Sequence, residues 1–444
     1  MYFRRLEKAV AERGEAVAVR TADRAYSLFE VVAAANNCAA DLHGQGFRRG
    51  DGVGVTVRDQ CRHLVVTLAL MRLGCASVAL PSFESVAYRE RLARRVGAAA
   101  VIGQSDADRI DGISFVLCPE MDGAGTAGAG ALPPLPGDDA VALLVVSSGS
   151  TGSPKIVPLT ARQLYLQSIA FNVTPGRGAF LRGNGIEFNN ARRQRLFALA
   201  VGTTNLLLEP GTFDTIEACR RFDVGLLALS HPQVKLLLAR DPVCGALPPH
   251  THLRLGGANV SPELRRQIVE KLTPNLFVAY ATTESGNIAT ADPSQHEVAP
   301  DAVGVVLPGI EVAIEGEDGG ATPDGNPGTI RVRGPGIADS YFGDPDMSAG
   351  AFRNGWFYPG DRGRLLAGRC LCVEGRVDEM MSLASIKIFP SEIERVVCAL
   401  PGVLDCAAFS MKSPDFGDIP WSRWCPAREQ RTGRFLPKRR RSWA

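Results

Sequence analysis

Val145-Val146-Ser147-Ser148-Gly149-Ser150-Thr151-Gly152-Ser153-Pro154-Lys155 decides how the rest of this chain is read. An apolar, β-branched run, Val141 to Val146, enters it with the length and content of a strand. The run of Ser, Gly and Thr then offers backbone N–H groups that no bulky side chain shields, together with several hydroxyls and one ammonium. That combination suits a phosphate cradle: glycines admit the backbone, amides and hydroxyls donate, and the lysine neutralises charge. Downstream, Thr160 and Gln163 have capping-box spacing ahead of an apolar segment, Leu164 to Phe171. The expectation is a loop between a strand and a helix. The spacing is not Walker A, because Lys155 follows Pro154 and no Ser or Thr follows the lysine. A plain Ser/Gly linker is the competing reading, and the flanking strand and helix signals argue against it.

The order of residues from Ser147 to Lys155 resembles the signature loop of the adenylate-forming superfamily, which contains acyl-CoA synthetases, peptide-synthetase adenylation domains and beetle luciferases. Three further stretches resemble it in the family's order. Tyr280-Ala281-Thr282-Thr283-Glu284 is similar to the aromatic-Gly-x-Thr-Glu motif, with Ala281 where Gly is usual. Gly355-Trp356-Phe357-Tyr358-Pro359-Gly360-Asp361 is similar to the Gly-Asp motif, and Arg333 to Phe342 upstream also fits. Gly375-Arg376-Val377-Asp378, followed by Lys387 to Glu394, resembles the hinge and the start of a small C-terminal domain.

The resemblance implies roles. Lys155, with Ser147, Ser148, Gly149, Ser150, Thr151 and Gly152, would balance phosphate charge. Gly256, Gly257 and Ala258 would line the adenine and acyl site. Tyr280 would stack on adenine, Thr283 would bond the α-phosphate, and Glu284 would hold Mg²⁺. A hard cation between phosphates does favour one carboxylate plus waters. Asp361 would accept both ribose hydroxyls, Arg376 would contact the nucleotide, and Asp378 would be the hinge. Ala384 and Ser385 stand where the family has Gly beside the passing pantetheine arm, so their side chains would crowd it. Taken singly, a Thr-Glu pair reads as a helix cap and a lone Asp as a turn residue.

The implied fold is α/β: a large adenylate-forming domain over residues 1–378, built from two αβ sheet subdomains and a β-rich third part. An incomplete small α+β domain follows over 379–420, then a basic Trp/Arg-rich tail over 421–444. The alternation of helical and strand patterns through residues 1–117 supports the first part. The β segments Val312–Ile314 and Thr329–Arg333, divided by Gly-rich turns, predict antiparallel structure. The implied reaction joins a small carboxylic acid to MgATP, giving acyl-adenylate and pyrophosphate. The acyl group then passes to coenzyme A or to a carrier-protein phosphopantetheine. The family's late Gly-Lys lysine has no counterpart assigned here, since Lys438 sits between Pro437 and three arginines. That predicts a truncated or frame-shifted end and impaired turnover. A nucleotide- or acyl-binding pseudoenzyme is the alternative reading.

Composition bounds the rest. A chain of 444 residues suggests two or three units. No stretch is long and apolar enough to span a membrane, and the N-terminus lacks a signal peptide's apolar region. Eleven scattered cysteines without a CxxC pair fit a reducing cytosol and a cytoplasmic protein. The whole-chain net charge is +2, whereas residues 421–444 carry +7, which leaves −5 on the body. An acidic body argues against nucleic-acid binding. The arginines at 89, 91, 94 and 95 read as a solvated helix face; those at 192, 193 and 195 have two readings, contact with an acidic substrate or a solvent-facing helix, and the second is favoured. His250 and His252 lack a third ligand and read as a loop pair.

Overall fold

The computed structural model describes residues 1–119, 132–147, 154–170, 178–240, 245–257, 260–299, 301–383, 386–398, 400, 402–413 and 417–426. The chain forms two compact units, Met1–Val373 and Glu374–Ala444.

The first unit holds two sheets. The six-stranded sheet runs in the order Ser114–Leu117, Ala98–Gly103, Gly52–Thr56, Ala76–Ala79, Val141–Ser147, Lys155–Thr160. Its first five strands are parallel and its last is antiparallel. Val53, Val55, Val78 and Leu143 are fully buried, as expected where helices cover both faces of a parallel sheet. Helix Gln60–Leu73 packs almost every residue inward. Asp59 caps its start and Gly74, at φ +78, closes its end.

In the larger sheet, parallel strands Leu276–Thr282, His252–Gly256, Val224–Leu229, Ala179–Arg182, Asn205–Leu206 and Val17–Arg20 lie side by side. Beyond Leu276–Thr282 the pairing turns antiparallel, through Gly286–Ala291 and Ala302–Val306 to the strands of the β-rich part. Glu311–Glu315 and Gly328–Arg333 pair antiparallel, as their turn-divided pattern predicts. One core cluster reaches both sheets of this unit, including Leu143 and Val157 from one, and Phe180 and Ala228 from the other.

The first sequence expectation to be corrected is the element after the Ser/Gly/Thr loop. Residues 155–160 are a strand, not a loop leading to a helix: Val146 pairs with Ile156 and Ser147 with Lys155. Ile156, Val157 and Leu159 are fully buried and drive the pairing. Pro158 is tolerated because this strand is the sheet's edge, where no ladder N–H is missed. The capping box forms as expected. The Gln163 amide donates to Thr160 Oγ1 at 3.1 Å, and the Thr160 amide donates to Gln163 Oε1 at 3.0 Å.

The arginine readings also change. Arg192, Arg193 and Arg195 on helix Asn189–Val201 are buried. Arg89 is buried too, 3.5 Å from the carboxylate of Asp108, while Arg91, Arg94 and Arg95 remain exposed.

Close strand packing fixes one glycine in particular. Gly304 has φ +108, and a Cβ there would lie 1.9 Å from the carbonyl carbon of Thr290 and 2.0 Å from the Ala291 nitrogen. Gly304→Ala is therefore expected to destabilise the first unit by about 3 kcal/mol. A lowered urea midpoint at unchanged slope would report it; an unchanged midpoint would contradict it.

The second unit is a four-stranded antiparallel sheet in the order Ile386–Ile388, Met381–Leu383, Gly417–Pro426, Val403–Ser413, with helix Pro390–Cys398. Strand Gly417–Pro426 crosses position 420 without a break, so Trp421 pairs with Phe409 and Trp424 with Cys406. Ser391 and Glu394 have capping-box spacing in the sequence, which predicts a helix capped by Ser391, but that box does not form. Pro390 starts the helix two residues earlier than a Ser391 cap would, and the Phe389 amide donates to Glu392 at 3.0 Å. Ser391 instead donates to the Glu374 carbonyl, and Glu394 accepts from the Ala408 amide.

Candidate active site

Strands Leu276–Thr282 and Gly286–Ala291 pair Thr282 with Gly286, which leaves Thr283-Glu284-Ser285 as the connecting turn. The Ser285 amide donates to Thr282 Oγ1 at 3.1 Å. Gly286, at φ +70, lets Gln167 approach: a Cβ there would meet Gln167 Cγ at 3.0 Å. Gln167 Nε2 donates to the carbonyls of Glu284 (3.2 Å) and Gly336 (2.8 Å), and the Ala338 amide donates to that same Glu284 carbonyl at 2.9 Å. Gln163, one turn earlier on helix Ala161–Ala170, donates to the Ile337 carbonyl and to Asp339 Oδ2, both at 2.9 Å. The turn is thus latched to segment 336–339 through main-chain groups.

Fixing the backbone in this way aims the side chain. The Glu284 carboxylate is buried, and its Oε1 accepts from Tyr341 Oη at 2.8 Å. Its Oε2 has no hydrogen-bond partner among the described residues. Lys155 Nζ lies over the ring of the same Tyr341, 5.2 Å from its centroid, a cation–π distance. Carboxylate and ammonium therefore share one aromatic ring without pairing directly. Arg193 Nη1 donates to the Thr283 carbonyl at 2.9 Å. Burial pushes this guanidinium down to about 10, with the Glu284 charge opposing the shift, so it stays charged at neutral pH.

A second group joins strand Leu276–Thr282 to the β-rich part. Tyr280 Oη donates to Asp361 Oδ2, and Asp361 is itself buried at the start of strand Asp361–Leu366. A bulge between Tyr280 and Ala281 re-aims the side chains there. Gly256 pairs with Ala279, where a Cβ would come to 3.0 Å of the Ala279 carbonyl oxygen. Gly257 follows at φ +88, with open space where a Cβ would stand.

Lys155, Thr283, Glu284, Tyr280, Asp361, Gly256, Gly257 and Ser147 all belong to the first unit. Ser148, Gly149, Ser150, Thr151, Gly152 and Ala258 lie outside the described residues, as do Ala384 and Ser385. Arg376 and Asp378 belong to the second unit, where the guanidinium meets the carboxylate through Nε at 3.1 Å and Nη2 at 3.2 Å. The sequence reading gave Gln163 only a capping role and Arg193 only a place in an arginine cluster, and it singled out neither Gln167 nor Tyr341. A signal existed for Arg193: its helix continues Leu196-Phe197-Ala198-Leu199, an apolar run that leaves little solvated face.

The residues present suit a magnesium–nucleotide complex. Among the described residues no group of three or more His, Cys, Asp and Glu could hold a metal ion. One carboxylate with an unengaged oxygen is what Mg²⁺ takes when it keeps waters and phosphate oxygens as its other ligands. Asp361 offers an acceptor pair of the kind two vicinal hydroxyls need. His252 instead packs its ring tilted against Phe277, with centroids 4.9 Å apart, and His250 pairs with Asp223 at 2.9 Å. No helix among the described residues is long and apolar enough to cross a membrane.

Residues 6–342 match the family described as AMP-binding enzyme, and the chain belongs to that family. At family level it is an AMP-forming ligase. It is 28% identical over 288 residues to indoleacetate–CoA ligase of Aromatoleum aromaticum, an alignment covering 62% of this chain and 56% of that protein. It is 26% identical over 447 residues to salicyl-AMP ligase / salicyl-S-ArCP synthetase of Mycobacterium tuberculosis, covering 92% of this chain and 77% of that one. O-succinylbenzoate coenzyme A synthetase from Bacillus subtilis, solved in complex with AMP, superposes with a TM-score of 0.83 at 21% identity. That superposition covers 95% of this chain and 88% of the other, which shows the shared mixed α/β fold.

Proposed function

We propose that this chain activates a small carboxylic acid with MgATP, forming an acyl-adenylate and pyrophosphate, and then passes the acyl group to a thiol. The observation that carries this reading is the Lys155–Tyr341–Glu284 arrangement beside the Thr283 turn. A cation and a cation-binding carboxylate are held apart on one aromatic ring, where a polyphosphate can bridge them. Tyr280 and Asp361 would seat the adenosine, with Asp361 accepting from the ribose hydroxyls. Gly256 and Gly257 would leave room for the adenine and the acyl group. A carboxylate oxygen of the acid attacks the α-phosphorus, and the bond to the pyrophosphate oxygen breaks. Thr283 would donate to the α-phosphate as charge moves onto its oxygens, and Lys155 would steady the departing pyrophosphate. Bound Mg²⁺ at Glu284 would supply Lewis-acid charge to the same phosphates. In the second half, a thiolate attacks the acyl carbon and AMP leaves. Arg376 would contact the nucleotide, and Asp378 would be the pivot between the two halves. The M. tuberculosis relative is named for a carrier-protein thioester and the A. aromaticum relative for a coenzyme A ligase. The thiol is therefore proposed at the level of the pantetheine arm common to both acceptors.

The test is acid-dependent ATP–pyrophosphate exchange across a panel of aliphatic and aromatic acids. Exchange with at least one acid, absent without it, is the expected result. No exchange with any acid, alongside intact AMP binding by calorimetry, would replace this reading with that of a nucleotide-binding protein without turnover.

A further inference from the structure

Five arginines are buried in one layer of the first unit. Arg182 and Arg254 both stand in register with Ala228 of the strand between them. Their side chains therefore leave the sheet on one face, flanking Ala228, with about 9–10 Å between their Cα atoms. That face carries Phe180 and Leu226, which share a core cluster with Leu196, Phe197 and Leu199 of helix Asn189–Val201. The same helix carries Arg192, Arg193 and Arg195. Arg182 is 7% exposed, Arg254 5%, and Arg192 and Arg195 0%. Arg182 also ends its strand, and the carboxyl ends of parallel strands are where ligands enter open α/β sheets.

Their partners are uneven. Arg193 is bound to the Thr283 carbonyl and offset by Glu284. Arg195 donates to Gln60 Oε1 (2.6 Å), the Leu206 carbonyl (3.3 Å) and the Asn184 carbonyl (3.4 Å), and Glu209 offsets its charge. Arg182 makes no hydrogen bond or ion pair with any described residue, and its Nε is buried. Arg192 has one long bond, to Asn189 Oδ1 at 3.4 Å, while its Nε and Nη1 are buried without partners. The charge of Arg182 depresses both Arg195 and Arg254, which places the three guanidiniums in one electrostatic cluster. Burial holds Arg182 at about 10 and, with that repulsion, Arg254 at about 9, so both remain charged at neutral pH. Arg182 and Arg192, buried with so little to answer their charge, are unfavourable unless an anion joins them.

The helix also fixes where such an anion lies relative to the reacting centre. Asn189 Nδ2 donates to the Val146 carbonyl at 3.0 Å, and Arg193 reaches Thr283, so the first turn of the helix touches both phosphate-facing segments. Arg195 lies further along the same helix, with Arg182 beside it. We propose that this arginine cluster seats a second carboxylate of the acid substrate, so that the acids this chain activates are short dicarboxylates. The proposal rests on the acid-activating reading above. One carboxylate would react at the Thr283 turn while the other neutralises Arg182, with Arg192 lining the way between them.

The experiment compares full-length protein with Arg182→Met and Arg192→Met. ATP–pyrophosphate exchange is measured with linear dicarboxylates, succinate to suberate, and with monocarboxylates of matching length. The unaltered chain is expected to favour a dicarboxylate over its matched monoacid by about 100-fold or more in kcat/KM, because the monoacid leaves the buried guanidiniums unanswered. Either variant should lose that preference while the KM for ATP stays unchanged. Without acid, both variants should melt higher than the parent, since methionine removes an uncompensated charge; an arginine needed only for packing would melt lower when replaced. Exchange by the parent that is equal for both acid classes would overturn the proposal and leave the acid-activating reading intact. If no acid supports exchange while AMP still binds, that reading falls. In that case a dicarboxylate-induced rise in the parent's melting temperature, lost in the variants, sustains the anion seat, and no rise overturns it too.

Discussion

Asp361→Ala is expected to weaken AMP binding by about 100-fold or more. The carboxylate is buried at the start of its strand and already takes one hydrogen bond, from Tyr280. Two ribose hydroxyls donating to it would each contribute about 1.5–3 kcal/mol, because the acceptor is charged. Alanine removes both bonds and leaves the Tyr280 hydroxyl without its acceptor. Tyr280→Phe keeps the carboxylate and should lose far less, about tenfold at most. Calorimetry on the three proteins distinguishes the cases. Equal affinity in the parent and Asp361→Ala would remove Asp361 from the nucleotide site.

Glu284→Gln should lower ATP–pyrophosphate exchange by about 10²–10³-fold, the range lost when one preorganised charge-stabilising group is removed. Glutamine keeps an oxygen that can accept from Tyr341, so the local fold should survive. Two things change. A neutral amide is a poor ligand for a hard cation, and Arg193 loses the charge that offsets its burial. Excess Mg²⁺ should therefore restore part of the exchange in this variant, while the melting temperature falls only slightly. A variant as active as its parent at low Mg²⁺ would exclude Glu284 as the cation ligand.

The parts of the fold legible in the sequence were those written in local pattern. Leu28 to Leu42 and Ala87 to Val96 read as helices, and helices Leu28–Gly44 and Val86–Arg95 form there. The strand after the Ser/Gly/Thr loop was hidden by Pro158, a residue that argues against a strand unless its edge position is known. The arginines were misread for a related reason. A run such as Arg192-Arg193-Gln194-Arg195 looks solvated until its acceptors are known, and the main ones lie far away in the chain: Thr283 for Arg193 and Gln60 for Arg195. In the candidate site, Tyr280, Glu284 and Asp361 could be named because motif order carried them. Gln163, Gln167 and Tyr341 act through contacts that span more than fifty residues, which no local spacing records.

The two glutamine latches bear on how this site withstands sequence drift. Gln163 and Gln167 grip mostly carbonyl oxygens, those of Glu284, Gly336 and Ile337, and any residue type supplies a carbonyl oxygen. Ile337 and Ala338 are thus free to vary in chemistry so long as their backbone keeps its path. Gly336 is not, because it sits at φ +89 with the main chain of helix Ala161–Ala170 only 3.3 Å from where a Cβ would be. Divergence should accordingly fall unevenly around the turn, concentrated at Ile337 and Ala338 and sparse at Gly336 and the two glutamines that do the gripping. A saturation library over positions 163, 167, 336, 337 and 338, sorted for retained nucleotide binding, should recover that asymmetry.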